Sequence, residues 1–255
     1  MAAKRNSPRK ERDIRRKVGV RPVKKSFLIV CEGQNTEPDY FNSFRLTSAT
    51  VKAVGKGLGT RVLVKEAVGI RQEEQRKGKT YDQYWVVFDK DDFPDEDFNL
   101  SIQEAKAEGF QVAWSNQAFE FWFILHFHLY QGPLHRSKYA EMLTKLTGMP
   151  YSKKAGVASA LYNLLFPKMD TAISHAKTVL ASFNEGTTPA KAESATTVFA
   201  LAEKELRSRL EKKDLQIAAI SADIDKVDNK AAKARVRKAT LELAKLGKEY
   251  RKASI

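Results

Sequence analysis

The sequence predicts an α/β fold built on a mostly parallel sheet flanked by helices, and three observations carry that prediction. Phe27-Leu28-Ile29-Val30-Cys31-Glu32-Gly33 is an apolar run of strand length closed by an acid and a glycine. Tyr84-Trp85-Val86-Val87-Phe88-Asp89-Lys90-Asp91-Asp92 is a second such run, again ending in carboxylates. The interval between them has room for one more strand and two helices, the spacing of parallel strands joined by crossovers. Parallel strands point the same way, so their carboxyl ends share one sheet edge, where open α/β proteins hold their ligands. Glu32, Asp89 and Asp91 are therefore expected to converge there.

Carboxylates crowded on one edge raise one another's pKa unless a cation sits among them. Mg²⁺, or Mn²⁺ in its place, suits such a set, since Mg²⁺ takes oxygen ligands and is commonly held by one or two carboxylates plus a substrate phosphate. Strand alternation puts Asp89 and Asp91 on one face and turns Lys90 away.

Composition limits the alternatives. A chain of 255 residues with 42% hydrophobic content is long and apolar enough to bury a substantial core. Its single cysteine, Cys31, excludes an intramolecular disulfide, and no apolar run reaches bilayer-crossing length. The basic N-terminus lacks the apolar region of a signal peptide, so a cytoplasmic protein without a membrane partner is expected. The formal charge of +14 is concentrated at the ends. Residues 1–25 carry 11 Lys/Arg against 2 Asp/Glu, and residues 204–255 carry 15 against 8, which leaves the middle at −2. Basic ends on a near-neutral body fit a polyanion partner, DNA or RNA, tRNA included; a solvated tail that only aids solubility is the plain alternative.

Taken in order, residues 1–25 form a basic arm with almost nothing apolar, predicted to be disordered alone and to grip phosphates through Lys4, Arg5, Arg9, Lys10, Arg15, Arg16 and Lys17. After the first strand, Thr36 is read as a helix cap, with Glu37 and Asp39 at the positive end of the dipole and Pro38 in the first turn. Glu37 is thus either an ordinary first-turn acid or a further metal ligand. A strand is predicted at 49–54, followed by Gly55-Lys56-Gly57-Leu58-Gly59, which reads as a glycine turn more readily than as a phosphate loop. A helix over 60–77 leads to the Asp89 strand. Pro94 and Asp95-Glu96-Asp97 open another helix that Gly109 ends, and Phe110–Ser115 is the next strand. Phe119–His128 is apolar on every side, the mark of a buried helix. Glu120 at its start must be paired, protonated or bound to a cation. His126 and His128 point to different sides and read as core or surface histidines. Residues 134–183 show helical periodicity broken at Gly148–Pro150, Pro167 and Gly186–Pro189, a small helical cap without catalytic spacing. Beyond Pro189 a helix opens near Ala195–Phe199. The Ile217–Ala234 seam then predicts either a coiled coil, pairing two copies of the chain, or a hairpin turned at Asp228-Asn229; Arg235, Arg237 and Lys238 belong to its basic face.

Glu32-Gly33…Thr36-Glu37-Pro38…Tyr40-Phe41, Phe88-Asp89-Lys90-Asp91-Asp92, Ser115-Asn116…Phe119-Glu120-Phe121-Trp122 and Ala195-Thr196-Thr197-Val198 together resemble the RloB-like family over about residues 26 to 205. The resemblance implies a Toprim-like sheet, related to the OLD-type nucleases, and a place in restriction and phage-defence loci. It makes Glu32 a metal ligand or proton-transfer group, and Asp89 and Asp91 the acid pair that holds Mg²⁺. Glu37 and Glu120 resemble the acids of a second metal site. Gln117-Ala118 departs from the Pro-Cys of relatives, and the basic tail lies outside the pattern.

The expected organisation is a basic arm over 1–25, a Toprim-like α/β domain over 26–130, a helical cap over 131–190 and a helical tail over 191–255. The expected activity is that of a Mg²⁺-dependent nuclease in phage defence with Glu32, Asp89 and Asp91 catalytic. The alternatives are a non-catalytic nucleic-acid binder and a regulatory partner of a defence ATPase.

Overall fold

All five residues of Phe27–Cys31 (β1) are buried, a pattern that requires cover on both faces of the sheet and therefore parallel neighbours. The computed structural model describes residues 26–44, 49–53, 60–204 and six isolated positions between 234 and 245. In it β1 is central, flanked by Ala49–Ala53 (β2) and Gln83–Asp89 (β3), with Gln111–Ser115 (β4) beyond β3. Every pairing is parallel and the order is β2-β1-β3-β4. The chain leaves β1 toward β2 on one side, and leaves β3 toward β4 on the other. That reversal opens a crevice between the carboxyl ends of β1 and β3.

The connections are helical: Thr36–Ser43 (α1), Thr60–Arg76 (α2), Asp95–Ala107 (α3) and, after β4, Glu120–Leu125 (α4). Right-handed crossovers place α1 on one face of the sheet and α2 with α3 on the other. The α2–α3 pair is tied by Ser101 Oγ donating to Thr60 Oγ1 at 2.8 Å and by the Arg61–Glu104 ion pair at 2.7 Å, while the Arg71 guanidinium lies over the Phe110 ring just before β4. On the opposite face the Tyr40 ring meets Phe44, Phe119, Phe123 and Tyr162 edge-on or tilted. Its hydroxyl accepts from Trp122 Nε1 at 2.8 Å, which binds α4 to α1. All six residues of α4 are buried, as its unbroken apolar character requires.

Tyr139–Thr147 (α5), Val157–Leu165 (α6) and Met169–Ala181 (α7) follow. Gly148, at φ 71°, ends α5, and Pro167 lies in the 3-10 turn between α6 and α7, so these breaks fall where the sequence places them. α5 and α7 pack on α4, while α6 packs on α1.

Three local readings change. Asn35, not Thr36, precedes α1, with its backbone carbonyl accepting from Asp39 N at 2.8 Å. The helix in 119–128 ends at Leu125. β3 ends at Asp89, and Asp91 has a left-handed φ of 43°, so strand alternation does not orient Asp91. A turn does: Phe93 N donates to Lys90 O, and Asp91 N donates to Gln117 O. Lys90 points away as expected and pairs with Asp95 at 2.9 Å.

The outer edge of β4 is covered from far along the chain. Thr196 bridges Ser115 antiparallel, Asn116 N donates to Ala195 O, and Thr197 N donates to Trp114 O, both at 2.8 Å. Residues 198–204 then turn helical. This strap satisfies an edge that would otherwise template aggregation. The glycine turn at 55–59, the N-terminal arm and the Ile217–Ala234 seam apart from Ala234 lie outside the described residues.

Candidate functional site

The register between β1 and β3 pairs Cys31 with Val87, so Glu32, the next residue, stands beside the end of β3. Its backbone N–H donates to Val87 O at 2.9 Å, and its Oε2 accepts from Asp89 N at 3.3 Å. Asp89 is 7% exposed. Its Oδ2 accepts from Phe119 N at 2.9 Å, while its Oδ1 is buried with no hydrogen-bond partner. Glu37, 6% exposed, reaches the same crevice from the first turn of α1. It lies so close over Gly33 that a Cβ there would sit 2.1 Å from Glu37 Oε2. Glu120 comes from the start of α4, because β4 ends at the same sheet edge. Glu32, Glu37, Asp89, Asp91 and Glu120 all line one cavity of 290 Å³.

Burial and mutual repulsion set the electrostatics. Desolvation, then the neighbouring Asp91 and Glu37, push Glu32 up to about 7 against a hydrogen bond from Asp89 N. Desolvation with Glu120 nearby raises Glu37 to about 7. Asp89 is held well above the usual carboxylate range by burial first, then by Glu37, Glu120 and Asp91. These are acids in need of a compensating charge.

Part of that compensation comes from residues the sequence reading passed over. Tyr151 OH donates to Glu120 Oε1 at 2.8 Å. Lys153 Nζ lies 3.3 Å from Glu120 Oε2, an ion pair without hydrogen-bond alignment. Partial desolvation opposes the charge on Lys153, but Glu120, Asp89 and Asp91 outweigh it and raise its pKa. Arg136 NH1 donates to Asp91 Oδ1 at 2.5 Å while NH2 pairs with Asp92. All three come from the helical cap, whose only local signal is a polar loop between helices. The cap therefore carries site residues despite its lack of catalytic spacing.

Among the described residues, no group of three or more His, Cys, Asp or Glu is arranged to hold a metal ion as the side chains stand. The donor set nevertheless fits a hard cation. Its atoms are carboxylate oxygens, and the orphaned Asp89 Oδ1 has an acceptor's lone pairs with nothing to receive. Glu32, Glu37, Asp89 and Asp91 are the residues that could hold Mg²⁺ or Mn²⁺, with Arg136 competing for Asp91.

His126 and His128 take no part. His126 is buried, with Nδ1 bonded to Trp122 O at 2.9 Å, and His128 is exposed. Of the expected phosphate contacts, Lys4, Arg5, Arg9, Lys10, Arg15, Arg16, Lys17 and Arg235 lie outside the described residues, and Arg237 and Lys238 are exposed helical positions. No helix among the described residues is long and apolar enough to cross a membrane.

A family model described as RloB-like protein matches residues 27–204, and one described as Histone H1-like protein Hc1 matches residues 208–255. The boundary between them falls just past the β4 strap. No curated protein and no solved structure matches the chain.

Proposed function

This chain belongs to the RloB-like family, and from that premise we propose that it is a divalent-metal-dependent nuclease of Toprim type acting in phage defence. The observation that carries the reading is Asp89 Oδ1, buried without a partner among further acids at the crevice between β1 and β3. Bound there, Mg²⁺ would stabilise the charge that develops on a phosphodiester during hydrolysis. Glu32, Glu37, Asp89 and Asp91 would hold it, and Glu120 closes the site on the cap side. Glu32 titrates near neutrality, where a carboxyl both accepts and returns a proton efficiently, which suits it to take the proton of an attacking water. Lys153, whose ammonium stands at the cavity wall beside Glu120, suits a phosphate oxygen. The tail over 208–255, by its likeness to a histone H1-like protein, supports a nucleic-acid partner whose phosphates it would contact without reading sequence.

The test is incubation of the full chain with plasmid, single-stranded DNA and tRNA in the presence of Mn²⁺. EDTA-sensitive fragments are expected, and Glu32→Ala should abolish them while leaving binding nearly intact. A second reading, a non-catalytic nucleic-acid binder or regulatory partner of an ATPase, is favoured by one observation: Lys153 and Arg136 already stand against Glu120 and Asp91, so protein cations offset part of the acid charge. Binding without cleavage, with the ATPase supplied, would select it.

A further inference from the structure

Beside the acid cavity lies a larger one of 670 Å³, a volume within the range of small-ligand sites. Asp91, Phe93, Glu120 and Lys153 line both, so the two share a wall rather than sitting apart. The larger cavity adds Tyr139 and Tyr151, and His135, Arg136 and Ser137 from the turn before α5.

We propose that this larger cavity receives the base of one unpaired nucleotide whose phosphate lies at the neighbouring acids once these hold a divalent cation. The inference rests on the nucleic-acid reading above and narrows its substrate class. Phe93 and Tyr151, both half-buried at the cavity wall, suit a flat π-face, the usual way single-stranded bases are held. The charges argue against a phosphate here, because Arg136 is already engaged by Asp91 and Asp92, and Glu120 adds a further acid. An uncharged base meets no such repulsion. Glu120, 2% exposed, has Oε1 taken by Tyr151 and Oε2 ion-paired to Lys153 at 3.3 Å, and Oε2 accepts no hydrogen bond, which leaves it a lone pair for one base N–H. Guanine, whose N1–H and exocyclic amine are both donors, supplies such an N–H. Lys153, on the shared wall, stands where the chain would pass from base to phosphate. A base inside a duplex is stacked and its pairing edge is occupied, so only a single-stranded or extruded nucleotide can enter.

Calorimetric titration of the full chain with GMP and with ribose 5-phosphate separates the base from the phosphate. GMP is expected to bind at least about tenfold more tightly. Ala140, on the exposed side of α5 at the cavity wall, provides the variant. Ala140→Trp should fill the cavity and reduce GMP to the affinity of ribose 5-phosphate, while the Mn²⁺-induced thermal shift stays as in the wild type. Equal affinities for the two probes, or GMP binding untouched by Ala140→Trp, would overturn the proposal. On a hairpin substrate, cuts confined to the loop support it, and equal cutting of the stem overturns it while leaving the nuclease reading intact. Base-dependent GMP binding without any cleavage would remove the nuclease reading and leave the base site standing.

Discussion

Phe119 donates its backbone N–H to Oδ2 of Asp89 at 2.9 Å, while Oδ1 of the same buried carboxylate has no hydrogen-bond partner. One oxygen is satisfied by the protein and one is not. Asp89→Asn keeps the shape and removes the charge. In metal-free protein the variant is expected to melt at the wild-type temperature or a few degrees above it, since a buried acid with little compensation destabilises. With millimolar Mg²⁺ or Mn²⁺ the wild type should gain stability by mass action and the variant should not. Scanning fluorimetry with and without metal checks both halves, and an unchanged wild-type curve would count against the metal site.

The acid cluster sets a pH dependence of definite sign. Glu32 and Glu37 have pKa values of about 7 against an ordinary 4.5, so between those limits the folded state holds more protons than the unfolded one. Stability conferred by these groups therefore falls as pH rises from about 4.5 to about 7. Glu37→Gln should flatten the decline and raise the metal-free melting temperature at pH 7.5 by about 3 °C or more. Metal binding should release protons, which calorimetry in two buffers of different ionisation enthalpy measures. A wild-type melting temperature that climbs steadily from pH 4.5 to 7 without metal would contradict this account.

His126 acts in the opposite direction. Burial lowers its pKa to about 3 from an ordinary 6.5, and its neutral ring donates to Trp122 O. Its contribution is complete above about pH 6.5 and is lost as pH falls toward 3, amounting to about 2 kcal/mol at pH 5. His126→Gln retains a donor and cannot charge, so it should shrink the acid-side loss measured by denaturant titration. An acid limb identical to the wild type would rule His126 out as its source.

Gly33 is constrained by proximity to Glu37 rather than by backbone angle. A methyl group there would lie 2.1 Å from Glu37 Oε2 and must displace that side chain. Gly33→Ala is expected to cost about 1–2 kcal/mol, in the range of overpacked sites, and to weaken the metal-induced stabilisation more than the fold itself. Titration of the melting temperature with Mn²⁺ distinguishes the two effects; full metal response in the variant would show that Glu37 is dispensable.

Local sequence was enough to place Glu32 and Asp89, because apolar strand-length runs must be buried, parallel strands need crossovers, and crossovers put successive carboxyl ends on one edge. The same reasoning brought Glu120 there, at the start of an all-apolar helix after β4, and read the break at Gly148 that ends α5. Where Asp91 points was not legible, since it depends on a turn closed by Gln117, a residue from another loop. Nor could periodicity reveal that Tyr151 and Lys153 would cover Glu120, or that Arg136 would reach Asp91 across 45 positions. Hydrophobic spacing encodes which side of each helix is buried, but which loop then lies over the strand ends follows from how α5, α6 and α7 pack against α4 and α1. The partners of Ser115 and Asn116 came likewise from residues 189–196, because a free strand edge is satisfied by whatever segment the completed tertiary structure delivers to it.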